Sequence, residues 1–284
     1  MIVSGPGDDW LGDGIILDKN PTGLYSTAFT TRSISGAHQI GGRPAGRELP
    51  NRQLVLPFDL WDTGDGIEAT LSRFRRLWGI DNKVTWKYTT VQSGPRSLIL
   101  RLAREIEVTT EGGLDREFEG HVHVVVSAIA FQPMYEGLED EVSWSNPTSG
   151  VNVGWLRLWN PTDQPLWLEW SMEPATQWRF PDMSFGQEKL WRRAEGADAD
   201  RIIYTPSLTQ RLHVMADPMM ETYVSEDGSN VAGLFNGVEP MYAVPPYTAP
   251  IEVPVVCNGA AGATITMTMR RFWSAESGLD ERID

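Results

Sequence analysis

Thr264-Ile265-Thr266-Met267-Thr268-Met269-Arg270-Arg271-Phe272 alternates apolar with hydroxyl side chains, so Ile265, Met267 and Met269 line one face of an extended segment and Thr264, Thr266 and Thr268 the other. A period of two belongs to a strand with one face on a core and one in water, the habit of antiparallel sheets. Arg52-Gln53-Leu54-Val55-Leu56, Val122-His123-Val124-Val125-Val126 and Trp155-Leu156-Arg157-Leu158-Trp159 read likewise. Gly, Pro, Asn and Asp separate such segments at intervals of about 8–14 residues, as turns do in all-β chains. The expected fold is mainly β.

One segment keeps a different period. Ile67, Leu71, Phe74 and Trp78 recur at i, i+4, i+7 and i+11, which predicts a helix over Asp65–Trp78 with one buried stripe. Asp65 with Glu68 three residues on reads as a capping-box variant, and Gly79 as the C′ residue that ends the helix. Arg73, Arg75 and Arg76 fall off the stripe, on a solvated or partner-facing side, and are candidates for an assembly interface.

A chain of 284 residues with 41% hydrophobic side chains has material for two cores. Its net charge of −14 argues against a surface built to neutralise phosphates. The charge is uneven: residues 1–133 hold 14 basic and 16 acidic side chains, residues 134–284 hold 10 and 22. The change falls at Pro133-Met134-Tyr135-Glu136-Gly137-Leu138-Glu139-Asp140-Glu141, a Pro/Gly and acidic stretch that reads as a linker, so domains are expected at 1–135 and 136–284. Cys257 is the single cysteine, which excludes an intramolecular disulfide framework and a thiolate zinc site. Met1–Leu17 carries three Asp where an export leader needs a basic start and an apolar run, and no 18-residue apolar stretch follows. Neither export nor membrane insertion is expected.

Catalytic signatures are missing. There is no G-x-S-x-G, P-loop, dinucleotide Gly fingerprint or H-E-x-x-H, and the Gly-rich segment Gly36–Gly46 reads as a flexible connection. His121 and His123 share a strand face, with no carboxylate or third His at ligand spacing in the sequence, so no metal and no cofactor are expected. Glu169, Glu173 and Asp182 lie near aromatic residues, but spacing alone does not make them a glycosidase pair. Tryptophan is the unusual residue, with 12 in all and six between Trp144 and Trp178. Trp155, Trp159 and Trp167 are candidates for an aromatic contact surface, which keeps a carbohydrate-binding or carbohydrate-cleaving β-sandwich open as the alternative function.

The order of elements resembles the distal tail proteins of long-tailed bacteriophages. Gly46-Arg47-Glu48-Leu49 precedes the strand Gln53–Phe58, the Asp65–Trp78 helix follows, and an apolar strand closes on Val124–Phe131 and the corner Gln132-Pro133-Met134-Tyr135. Asn160-Pro161-Thr162-Asp163-Gln164-Pro165 and Pro174–Trp178 are similar to the start of that family's second domain. Gln132 stands where the family often has Asp, and Glu188–Tyr204 has no counterpart. The resemblance implies a tail-tube-like N-terminal β-sandwich with one helix and a galectin-like C-terminal β-sandwich. It implies no enzyme, but a structural virion protein, made in the host cytoplasm, that forms a homohexameric ring at the tail tip. The implied partners are the tail tube protein, the tail-tip hub and the side-fibre or receptor-binding proteins. Tape measure protein and DNA would pass through the lumen without sequence-specific binding.

Overall fold

The computed structural model describes residues 13–38, 40–110 and 115–280. The leader reading of Met1–Leu17 falls mostly outside them. The chain is mainly β and divides into two compact units, Met1–Tyr135 with Ser274–Gly278 and Glu136–Trp273 with Leu279–Asp284. No helix among the described residues is long and apolar enough to cross a membrane.

In the first unit, β1 (Ile15–Leu17), β2 (Thr30–Ile34), β3 (Arg43–Glu48) and β4 (Arg52–Trp61) precede helix α1 (Ile67–Leu77). Then come β5 (Val84–Thr90), β6 (Gly94–Leu102), β7 (Glu107–Thr109), the short helix α2 (Arg116–Glu119) and β8 (His121–Ala130). The sheet runs β1-β4-β8-β6, with β5 on β6 and β7 on β8. Alternation decides its two faces. Leu54, Leu56, Phe58 and Leu60 of β4 and Val122, Val124 and Val126 of β8 are buried together with Ile67, Leu71, Phe74 and Trp78 of α1, as the helical stripe requires. Phe58 and Phe74 meet edge to face at 5.2 Å.

The start of the helix differs from the expected capping box. Gly66 is the N-cap and no side chain caps it. Asp62 organises the approach instead, its Oδ1 accepting from the N–H of Gly64 (2.7 Å) and Gly66 (2.8 Å). At the far end Trp78 is the C-cap residue, which puts Gly79 at C′ as expected, without a left-handed φ. There Asn82 Nδ2 donates to the carbonyls of Arg76 (2.9 Å) and Leu77 (3.2 Å), satisfying acceptors that a terminal turn leaves open. The segment Gly36–Gly46 is also corrected: Arg43–Gly46 belongs to β3, paired with β2.

β9 (Tyr135–Glu136) carries the chain into the second unit. There β10 (Asp140–Ser145), β11 (Gly150–Asn160), β12 (Leu168–Met172), β13 (Gln177–Pro181) and β14 (Ile202–Tyr204) are followed by β15 (Leu212–Met215), β16 (Tyr223–Ser225), β17 (Thr248–Gly259), β18 (Thr264–Met269) and β19 (Phe272–Trp273). A five-stranded sheet, β10-β18-β12-β15-β16, and a four-stranded sheet, β11-β17-β13-β14, share one core. Ile265, Met267 and Met269 of β18 are fully buried in it, in one cluster with Trp170, Trp178, Phe180, Val253 and Val255. Gly154 of β11 lets the Trp144 indole lie against the backbone, since a Cβ there would stand 2.2 Å from the ring. Cys257 is buried in the same core, and burial pushes its thiol up to about 11. The stretch read as a linker is not exposed throughout: Met134 and Tyr135 are buried, while Leu138, Glu139 and Glu141 face solvent.

Candidate assembly surfaces

The three arginines of α1 are not equivalent. Arg73 is tied back to its own unit, its Nη2 donating to the hydroxyls of Thr63 (3.0 Å) and Thr70 (3.1 Å), with Asp65 at 3.9 Å. Arg75 and Arg76 are exposed and form no ion pair among the described residues. They occupy the last turn, where cations also favour the helix dipole. Arg76 and Leu77 line a surface groove with Arg73 and Asp13.

A second surface lies outside the sequence expectations. All eleven residues of β2 and β3 are exposed, and the two strands form a sheet of their own. Their apolar side chains and those around them, Phe29, Ile34 and Ile40, stand in solvent. Because neither face meets a core, neither strand shows the alternation that marks the others. Its signals in the sequence were the β-rich Thr30-Thr31 and the glycine-bounded turn. A free two-stranded ribbon is marginal in water and offers unpaired edges to another chain.

The third surface is the outer face of the four-stranded sheet. Cross-strand register places Val153 opposite Val256, Val256 opposite Arg179, and Arg179 opposite Tyr204, with Trp155 opposite Pro254. Val151, Val153, Trp155, Ile202 and Tyr204 are exposed, and the Arg179 guanidinium lies 5.1 Å from the Tyr204 ring centre. This is a largely apolar face on which Arg179 and Arg157 stack against aromatic rings. The structure puts Trp155 and Trp159 on this strand but not Trp167, which precedes β12 of the other sheet. Trp155 is 59% exposed. Trp159 is half-buried, with the guanidinium groups of Arg157 and Arg271 5.5 and 4.5 Å from its ring.

The three carboxylates weighed as catalytic groups each have bonding partners. Glu169 lies 3.5 Å from Arg270; burial raises its pKa and the Arg270 charge opposes the rise. Glu173 accepts from the Thr264 N–H (3.0 Å) and from Arg211 (3.3 Å). Asp182 is buried, accepts from the N–H groups of Met241 and Tyr242, and pairs with Arg201. The histidine pair differs from the sequence reading: the sheet brings Asp59 of β4, 62 residues from His121, between the rings of His121 and His123.

Protein-family models give no match to the chain. Over 300 aligned residues it is 27% identical to minor tail protein Gp27 of Mycobacterium phage L5, covering 86% of this chain and 84% of the relative. It is 26% identical over 294 residues to minor tail protein Gp27 of Mycobacterium phage D29, with 84% of each chain covered. Among solved structures it is similar to the SPP1 Dit protein (gp 19.1), with a TM-score of 0.58, 12% identity, and coverage of 92% of this chain and 94% of that one. The sequence resemblance to phage distal tail proteins is thus borne out by relatives named for the phage tail and by a Dit fold.

Proposed function

We propose, from this kinship with phage minor tail proteins and the Dit fold, that the chain is a structural component of a phage tail whose copies close into a hexameric ring at the distal end. It joins the tail tube to the tip hub, and tape measure protein and DNA pass through it. The carrying observation is the β2–β3 ribbon, exposed on every residue and paired only with itself. A neighbouring copy supplies what such a ribbon lacks, and head-to-tail repetition of one contact closes a ring when the rotation allows. The first unit is the tail-tube-like, ring-forming domain, with Arg75 and Arg76 at its contact surface. The second is the galectin-like domain, whose apolar outer sheet face meets tip, side-fibre or receptor-binding proteins. The protein has no turnover. Cryo-electron microscopy of tails tests the reading: this chain should account for a sixfold collar at the tube's distal end. A sixfold collar there that lacks it would overturn the assignment.

The alternative is carbohydrate contact, favoured by exposed Trp155 beside Arg179 and Tyr204, since aromatic faces stack on sugars. Glycan-array binding lost in Trp155→Ala would support it. Release of reducing ends from cell-wall material, abolished by a single carboxylate substitution, would make the protein a hydrolase.

A further inference from the structure

We propose that Asp18, Asp59 and His123 form a binding site for one divalent transition-metal cation of the zinc class, a clamp across β1, β4 and β8. The fold assembles the site from three distant parts of the sequence. The β4–β8 register sets Asp59 directly opposite His123 and Trp61 opposite His121. Asp18 follows β1 and is fixed by its N–H donating to the Pro57 carbonyl at 2.9 Å. Phe58, Leu60, Val122 and Val124 point into the core, so Asp59, His121 and His123 share the opposite face of the sheet.

The distances fit a small cation. Asp59 Oδ1 is 3.0 Å from His123 Nδ1, and Asp18 Oδ2 is 3.8 Å from the same nitrogen. One ligand atom from each of the three side chains lies within 4.8 Å of the others, the one such group among the described residues. Tetrahedral zinc with bonds of about 2.0–2.1 Å separates its ligand atoms by about 3.3 Å, between the two measured edges. His121 Nε2 stands 3.2 Å from the same Asp59 oxygen, and its ring packs 4.2 Å from Trp61. A donor of this kind is what commonly orients a ligating carboxylate.

Charge supplies an independent argument. Asp182, Asp198 and Asp140 are each paired with an arginine. Asp18 and Asp59 face each other with no Lys or Arg in ion-pair reach among the described residues, and imidazoles are their only partners. A divalent cation would neutralise both carboxylates. An imidazole beside two carboxylates selects zinc, manganese or cobalt over calcium, which takes an all-oxygen shell.

The test uses untagged full-length protein stripped with chelator. Calorimetric titration with ZnCl2 should give one site per chain with a micromolar or tighter Kd, a raised Tm, and no comparable heat with CaCl2. Co2+ should give a visible d–d band that Zn2+ displaces. Asp59→Asn and His123→Gln should each weaken binding about tenfold or more, and His213→Gln should leave it unchanged. Asp18→Asn, at the edge of the sheet, serves if the other two do not fold. Absence of saturable Zn2+ or Mn2+ binding to the wild type would overturn the site. So would unchanged binding in a folded ligand variant, or preference for Ca2+.

Discussion

Arg52 is 1% exposed, and the acceptors of its guanidinium are main-chain carbonyls: Gly23 at 2.7 Å, Pro133 at 2.9 Å, and Leu24 and Ser274 at 3.4 Å. The Tyr135 ring lies 4.7 Å from it, and the Tyr135 hydroxyl donates to Leu24 at 2.9 Å. Burial lowers the pKa of Arg52 and raises that of Tyr135. Arg52→Ala orphans several buried carbonyls together and should cost about 3 kcal/mol or more, read by urea unfolding. A different residue-scale cost awaits Gly154→Ala, whose new methyl must displace the Trp144 ring; overpacking of this kind costs roughly 1–3 kcal/mol. Acid should act on the second unit through Glu188 and Asp198. The Ser184 hydroxyl, donating at 2.6 Å, holds the Glu188 carboxyl below the usual range, and the Tyr242 hydroxyl, donating at 2.5 Å, does the same for Asp198. A depressed folded value means that the stabilisation is complete above the unfolded value of about 4 and is lost as pH falls through the folded one. Unfolding midpoints measured from pH 7 downward should drop less steeply in Glu188→Gln.

At the scale of elements, substitutions in α1 test folding and the proposed assembly separately. Leu71 is 1% exposed against the sheet, so Leu71→Asp buries an unpaired charge at a cost on the order of 5 kcal/mol and should leave no folded protein by circular dichroism. Arg75 forms no ion pair among the described residues, so Arg75→Glu should cost folding only the helix-dipole contribution, on the order of 0.5–1 kcal/mol, and weaken oligomerisation. The two elements with the strongest periods, α1 and β18, were legible because each buries one face against its own unit. The side chains that serve the ends of α1 were not, because Asp62 reaches its donors and Asn82 its acceptors from outside the helix, and an acidic residue in the first turn mimics a capping box. The β2–β3 ribbon was hidden for the opposite reason: a strand with no buried face has no alternation to read. The Asp18–Asp59–His123 group could not be seen by spacing, since its members meet only through the pairing of β1, β4 and β8. Trp155, Trp159 and Trp167 are close in sequence, but a turn between β11 and β12 sends the third to another sheet.

For the whole molecule, the decisive property is that residues 274–278 belong with the first unit although the chain reaches them from the second. Arg96 donates to the carbonyls of Ala275 (3.0 Å) and Gly278 (2.6 Å), Thr27 to that of Ser274 (2.7 Å), and the Gly278 N–H to Ser93 (2.8 Å). Limited proteolysis should cut first at exposed Leu138–Glu139. The two fragments should then stay associated on a sizing column and separate only in denaturant. A chain ending at Trp273 should lose stability in its first unit, because Arg52 and Arg96 lose carbonyl acceptors. Assembly is tested without touching this clasp. Ile34 and Ile40 are exposed, so changing both to Lys should move monomer stability by less than about 0.5 kcal/mol. If the ribbon docks on the next copy, those two charges enter an apolar contact, and the species of six times 31.7 kDa should disappear from native mass spectra. Under the proposed tail role the same variant belongs in phage as well, where tails should lack the distal collar. Rings that form normally from the double variant would leave the ribbon without a role in closure, and the Arg75→Glu result would then decide whether α1 carries the contact.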